Sequence, residues 1–109
     1  MVGDSKRVAE LIEGLEGGPP QVRAKCAQNL GGIGLTAEEA TKAVVALIVA
    51  VKDDDPRVQK NACLALSKIG SAAVPALIEA LKDDDAWVRT TVASAMDRIE
   101  PAAKDDRRR

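Results

Sequence analysis

Histidine, phenylalanine and tyrosine are all absent from the sequence, and Trp87 is its one aromatic residue. Histidine is the side chain that most often transfers protons in catalysis near neutral pH, and it completes the common mixed cysteine–histidine zinc sites. Its absence disfavours acid–base enzymes and histidine-dependent metal sites. We therefore predict a protein that is not an enzyme, that has no cofactor or metal, and whose core is aliphatic.

Cysteine is scarce as well, since only Cys26 and Cys63 are present. Both occupy helical positions that are apolar in the pattern of the chain, and an apolar environment raises the pKa of a thiol instead of activating it. We interpret both cysteines as small core residues. A disulfide between them stays the alternative.

Long hydrophobic runs and an excess of charge of one sign are also missing. The longest strictly apolar run, residues 43–51, is much shorter than the roughly 20 residues that a membrane-spanning helix needs. Asp4, Glu10 and Glu13 interrupt the N-terminal region, unlike the apolar region of a secretory signal. The formal net charge of −1 favours neither nucleic acid nor an anionic membrane as a partner. We expect a cytoplasmic protein with no membrane partner.

What the sequence does contain is a repeat. Residues 44–58 match residues 74–88 at an offset of 30, and a more degenerate copy lies 36 residues upstream of the middle one. Each copy opens with apolar residues at i, i+3, i+4 and i+7, which is the spacing of one face of an amphipathic helix. These first-helix residues, which we expect in the core, are Val8, Leu11, Ile12, Leu15, Val44, Leu47, Ile48, Val51, Val74, Leu77, Ile78 and Leu81.

A second apolar stripe follows in every copy at i, i+4, i+8 and i+11, so each copy is predicted to be a helical hairpin. The stripes are Val22, Cys26, Leu30 and Ile33; Val58, Ala62, Leu66 and Ile69; and Val88, Val92, Met96 and Ile99. We predict one all-α domain over residues 1–100, with repeats at about 5–34, 36–70 and 71–100. Residues 101–109 are charged, and we expect them to be a disordered tail whose three arginines increase solubility.

The residues between the stripes are typical of helix ends. Asp55 and Asp85 are suited to cap the second helices, and Pro56 suits a first helical position. Thr36 and Glu39 have the spacing of a capping box. We interpret the two Asp-Asp-Asp turns as caps and not as calcium sites, because the alternating carboxylates and terminal glutamate of an EF-hand loop are absent.

A family resemblance is carried by the stretch Ala73–Asp83, the pair Val88-Arg89 and the spaced positions Ala62, Leu66, Ile69 and Gly70. These residues resemble the HEAT-like repeat named for phycobilisome lyases, over about residues 5–100. The resemblance implies a right-handed α-solenoid of three helical hairpins, or about six helices. It also implies that the first helices lie on the convex side and that the second helices line the concave side, which such proteins usually offer to partners.

The resemblance to this family favours a non-catalytic scaffold that binds another protein through its concave face. Other members of the family attach bilins or bind DNA, so two alternatives stay open. The first is an accessory subunit of a bilin-lyase-type enzyme, and the second is a nucleic-acid-associated protein. Iron-binding members use histidine–glutamate pairs, which this chain cannot form.

We call the candidate partner-binding residues of the second helices the concave face. They lie opposite the apolar stripe and differ between copies: Arg57, Lys60, Leu64, Trp87, Thr90 and Ser94. Trp87 stands where the other copies carry Arg57 and Gln21, so the repeat register predicts a large apolar side chain in solvent, as in a binding hot spot. Local packing of Trp87, against Arg57 or over the preceding turn, stays the alternative.

The middle copy has a second anomaly, which we call the valine ridge: Val45 and Val49. The other copies carry Ala9 and Glu13, or Pro75 and Glu79, at these positions. The first helix of the middle copy is therefore apolar nearly all round and needs a cover, either a neighbouring helix or a second molecule. We predict self-association, with an isologous dimer as its simplest form. The third copy carries Asp97, Arg98 and Glu100, which predicts a polar terminal repeat.

Overall fold

The computed structural model describes residues 2–99, with side chains from residue 5 onward. The six α-helices of this range are α1 Val2–Gly17, α2 Pro20–Gly32, α3 Ala37–Val51, α4 Pro56–Ile69, α5 Val74–Ala80 and α6 Ala86–Arg98. They follow one another as three hairpins, which confirms the predicted all-α solenoid. Glu100 and the predicted tail over residues 101–109 lie outside the described residues.

The three hairpins form two layers of helices. Helices α1, α3 and α5 pack side by side as the first-helix layer, and α2, α4 and α6 pack as the second-helix layer. The shortest dimension of the molecule is 18 Å, close to two helix diameters of about 10 Å each. The core lies between the layers, where Leu30, Leu47, Leu66 and Leu77 are completely buried.

The helix ends have the chemistry expected from their residues. Thr36 Oγ1 accepts a hydrogen bond from Glu39 N at 3.2 Å, and Glu39 Oε1 accepts one from Thr36 N at 3.0 Å, which confirms the capping box. Asp55 and Asp85 accept from the amides two residues later, each at 2.8 Å. Asp55 and Asp85 therefore cap the second helices of their hairpins, as predicted.

The second helices of the first two hairpins approach each other closely. A Cβ atom added to Gly31 would lie 2.7 Å from Ala65 Cα, so a larger side chain at this position would force α2 away from α4. Asn61 crosses the same contact, donating from Nδ2 to the Ala24 carbonyl at 2.8 Å. Cys26 and Cys63, both free thiols, pack against the edge of the core as predicted.

Three of the predicted core positions are wrong. Ile78 is 47% exposed, Leu81 is 36% exposed and Val22 is 39% exposed. The reason is that the apolar stripe of a solenoid repeat is completed by the neighbouring hairpin, and the two outer hairpins each lack one neighbour within residues 2–99. The third hairpin is therefore not the uniformly polar terminal repeat that its charged residues suggested.

One stretch of the chain, Pro56–Ala80, is long and apolar enough to cross a membrane by length and composition, with a mean hydropathy of 1.4. The fold divides this stretch. Gly70 has a φ of 82° and ends α4, and the 3₁₀ turn Gly70–Ala73 precedes α5. Leu66 and Leu77 from its two halves are both buried in the core. The stretch therefore forms the adjoining helices of two hairpins.

Candidate functional site

The six predicted residues of the concave face all lie in the second-helix layer, on α4 and α6. Trp87, Thr90 and Ser94 of α6 are exposed and line one cavity between α6 and α4. Arg57 and Lys60 of α4 are exposed outside this cavity, and Leu64 is only partly exposed. The structure thus brings half of the predicted set together in one concave place.

We call this place the Trp87 cavity, and its volume is about 190 Å³. Its lining residues are Cys63, Trp87, Thr90, Thr91, Ser94, Ala95 and Arg98. Cys63, Thr91 and Arg98 were not among the predicted site residues. Comparison of the repeats could have identified Thr91, because the longer Asn61 occupies the corresponding position of the middle hairpin.

The cavity lies between α4 and α6 because these helices lack the interhelical hydrogen bond that joins α2 and α4. Asn61 reaches across to the neighbouring helix, whereas Thr91 is too short to make the equivalent bond. Thr91 is only 5% exposed, and its hydroxyl has no hydrogen bond to oxygen or nitrogen within residues 2–99, with only the Cys63 thiol as a weak polar neighbour. Such a group loses most of its hydration without compensation, at a cost of about 1–3 kcal/mol. Because the hydroxyl has almost no accessible surface, it lies beneath the cavity wall and is not presented to a ligand.

Cys63 lies beside Thr91 in the same cavity. Burial raises the pKa of the Cys63 thiol, and the Thr91 hydroxyl and the Arg98 charge oppose that rise only in part. A raised pKa disfavours the thiolate, which is the nucleophilic form of cysteine. Cys63 therefore lines the cavity without the stabilised thiolate that a nucleophilic cysteine requires.

Trp87 is partly exposed and is also anchored to the preceding hairpin. Its side chain is 50% exposed, while its indole Nε1 donates to the Val51 carbonyl at 3.1 Å. Val51 ends α3, where backbone carbonyls lack partners within the helix. The indole N–H thus forms a contact between repeats, which the repeat register did not predict because polar residues, Arg57 and Gln21, occupy this position in the other copies.

Arg57 does not serve as a cation for Trp87. Its guanidinium instead binds the Asp55 carboxylate, with Nη2 at 2.9 Å from Oδ2 and Nε at 3.1 Å from Oδ1. The Arg57 guanidinium and the Arg57 backbone N–H together lower the pKa of Asp55 to about 2. This ion pair neutralises one of the two positive charges that the concave face carries on α4.

The valine ridge lies in the first-helix layer, on the opposite side of the molecule. Val45 is 62% exposed and Val49 is 65% exposed, so no neighbour in the described stack covers them. A groove borders the ridge on each side, one against α1 with a volume of about 470 Å³ and one against α5 with a volume of about 420 Å³. Both grooves combine apolar residues with charged side chains such as Glu16, Lys42 and Glu79.

Comparison with known proteins agrees with this architecture. The family model of HEAT repeats matches residues 8–97, which span all three hairpins. No curated protein matches the chain. The match supports the repeat family and does not distinguish the phycobilisome-lyase type within it. Because the matched residues make up most of the sequence, the chain belongs to the HEAT repeat family.

Proposed function

We propose that the chain is a non-catalytic module that binds another protein through its second-helix layer, with one side chain of the partner inserted into the Trp87 cavity. HEAT repeats are generally protein-interaction scaffolds and generally non-catalytic. The observation that carries the proposal is the cavity that the exposed Trp87 ring shares with the exposed residues Thr90, Ser94 and Arg98.

The chemistry of the cavity favours a carboxylate side chain. Thr90 and Ser94 supply exposed hydroxyl groups, and Arg98 supplies a guanidinium without a described partner. Hydroxyls and guanidinium groups both donate to carboxylate oxygens. Trp87 offers a flat apolar surface to the methylene groups of the same side chain. We therefore propose an aspartate or glutamate of the partner as the occupant.

The size of the cavity argues for one side chain and against a tetrapyrrole. Its volume of about 190 Å³ is below the roughly 300–1,000 Å³ of sites that enclose small organic ligands. The bilin-lyase alternative therefore gains no support from this site. A nucleic-acid interface gains none either, because Arg57 on the same layer is already paired with Asp55.

Affinity capture from a native lysate tests the proposal when it is run with matched variants. We expect a protein that is retained by the wild-type chain, lost by Trp87→Ala and by Arg98→Gln, and retained by Lys68→Gln. Lys68 is exposed on α4 and does not line the cavity, so this control removes one positive charge elsewhere. Truncating a hot-spot tryptophan costs about 2 kcal/mol or more of affinity. Equal retention by all four chains would contradict the proposal.

We propose in addition that the valine ridge mediates self-association. The supporting observation is that both valines are exposed, although the first and third hairpins carry Glu13 and Glu79 at the position of Val49. A carboxylate at that position suits solvent, whereas an exposed valine pair favours burial against a second apolar surface. A second copy supplies an identical surface.

A further inference from the structure

The C-terminal edge of the solenoid is built like the surfaces that join its hairpins. We call Ile78, Leu81, Lys82 and Arg89 the C-terminal edge. In the preceding hairpin, the counterparts of Ile78 and Leu81 are Ile48 and Val51, and Val51 is 0% exposed. Ile48 is only partly exposed and lines a groove together with Ala76 and Ala80 of the next hairpin. The edge therefore exposes residues that the repeat buries wherever another hairpin follows.

The contact between the first two hairpins shows what completes such a surface. Arg23 donates from Nε and Nη2 to the two carboxylate oxygens of Asp53, at 2.8 Å and 3.0 Å. Its Nη1 donates to the Gly18 carbonyl of its own turn at 2.9 Å. The arginine is thus held by its own hairpin and pairs with the first aspartate of the following turn.

Arg89 is the counterpart of Arg23 in the third hairpin, and it is held in the same way. Its Nη1 donates to the Asp84 carbonyl at 3.0 Å, at the position equivalent to Gly18, and to the Asp83 carbonyl at 2.7 Å. Within residues 2–99, Nε and Nη2 of Arg89 have no carboxylate partner. Arg23 binds Asp53 through its Nε and Nη2 atoms, and the same two atoms are therefore available in Arg89.

A second cation repeats the same arrangement. Between the second and third hairpins, Lys52 Nζ lies 3.7 Å from Asp83 Oδ1, so a basic residue again faces the first aspartate of the following turn. The counterpart of Lys52 at the C-terminal edge is Lys82, whose only described partner is the exposed Glu79. Both types of cation that join hairpins inside the molecule are thus present at its edge.

From these equivalences we propose that the C-terminal edge docks a helical-repeat hairpin that carries alanines on its first helix and an aspartate at the start of its turn. The two hairpins that follow another in this chain share that pattern, Ala46, Ala50 and Asp53 in one and Ala76, Ala80 and Asp83 in the other. Ala46 and Ala50 lie beside Leu15 and Arg23 of the preceding hairpin. The pattern fits the apolar pair and the cations of the edge.

A second copy of the chain does not fit the edge in this way. The first hairpin carries Glu10, Gly14 and Gly17 at the three positions of the pattern. Glu10 would place a carboxylate where a buried alanine is required, and Gly17 supplies no carboxylate for Arg89. The first hairpin therefore does not match the C-terminal edge, and the occupant is a hairpin other than the three within residues 2–99.

Converting the first hairpin into a matching hairpin tests this proposal. The variant Glu10→Ala/Gly17→Asp, made with Val49→Glu to suppress association through the valine ridge, serves as the probe. A Cβ atom at Gly17 has no neighbour within 4 Å, so the aspartate is accommodated. We expect its association constant in sedimentation velocity to rise about tenfold or more above that of the Val49→Glu chain. Adding Arg89→Gln should reduce it about tenfold, and adding Lys68→Gln should leave it unchanged.

Each other result overturns the proposal. No gain of association, or a gain that survives both Arg89→Gln and Ile78→Glu, would show that the edge does not recognise the pattern. Arg89-dependent association of the chain with an unaltered first hairpin would show that the pattern is not required. If circular dichroism shows that the double change unfolds the protein, Glu10→Ala with Val49→Glu removes the blocking carboxylate alone, and the proposal then requires a gain of association that is lost on adding Ile78→Glu.

Discussion

At the scale of single residues, Thr91 shows how a side chain that is too short creates a cavity. The equivalent Asn61 ties α4 to α2, whereas the Thr91 hydroxyl stays buried and without a hydrogen bond between α6 and α4. A buried hydroxyl without a partner has a cost in stability. The free energy of unfolding can reveal that cost directly.

We predict that Thr91→Val stabilises the protein. Valine has nearly the same shape as threonine and removes the unsatisfied hydroxyl, so the free energy of unfolding should rise by about 1 kcal/mol. Thr90→Val is the matched control, because Thr90 is exposed and its change should stay within about 0.5 kcal/mol. Urea unfolding followed by circular dichroism measures both. A loss of stability in Thr91→Val would mean that the hydroxyl is satisfied in the folded protein.

Trp87 is the second residue whose two roles can be separated by experiment. Trp87→Phe keeps an aromatic surface in the cavity but removes the bond from Nε1 to the Val51 carbonyl. We expect it to lower the free energy of unfolding by about 1 kcal/mol, the usual contribution of one hydrogen bond. Unchanged urea midpoints would show that the indole does not stabilise the contact between the second and third hairpins.

At the scale of the helices and turns, the first Asp-Asp-Asp turn joins two hairpins. Asp53 accepts from Arg23 of the preceding hairpin, and it also accepts from Asp55 N of its own turn at 2.8 Å. The hydrogen bonds from Arg23 lower the pKa of Asp53, and the bond from Asp55 N acts in the same direction. One carboxylate thus caps a turn and connects two repeats.

This arrangement predicts a loss of stability in acid. Because the pKa of Asp53 is lower in the folded protein than its ordinary value of 3.8, its stabilising effect is present above that value and is lost as the pH falls through the folded pKa. Asp55, whose pKa is lowered to about 2, behaves in the same way. We expect the urea midpoint to fall as the pH decreases from about 4 to about 2.

Two variants assign this pH dependence to Asp53. Asp53→Asn should lower the urea midpoint at neutral pH and weaken its dependence on pH in acid. Asp54→Asn removes a carboxylate from the same turn, but Asp54 is exposed and makes no described hydrogen bond or ion pair, so both the midpoint and its pH dependence should stay near wild type. Identical acid profiles for all three chains would contradict the role of Asp53 between the hairpins.

At the scale of the whole molecule, the sequence predicts features that depend on neighbouring residues along the chain or on a comparison between the repeats. The Thr36 cap requires only four successive residues, and the exposure of Val45 and Val49 follows from the glutamates that replace Val49 in the other copies. The exposure of Ile78 depends on whether another hairpin follows, and the cavity beside Thr91 depends on the spacing of α4 and α6. Neither of these is encoded in the periodicity of a single helix.

The valine ridge allows a whole-molecule prediction in which folding and association respond differently. Val49→Glu introduces a glutamate at the position where the other hairpins carry Glu13 and Glu79. Because Val49 is 65% exposed, the free energy of unfolding should change by less than about 0.5 kcal/mol. A charge in the centre of an apolar interface should nevertheless weaken self-association by about tenfold or more in sedimentation equilibrium. Gln28→Glu, which adds the same charge at an exposed position of α2 in the other layer, should leave association unchanged. If the wild-type chain is a monomer at concentrations on the order of several hundred micromolar, where weak specific dimers become populated, the ridge does not bind a second copy.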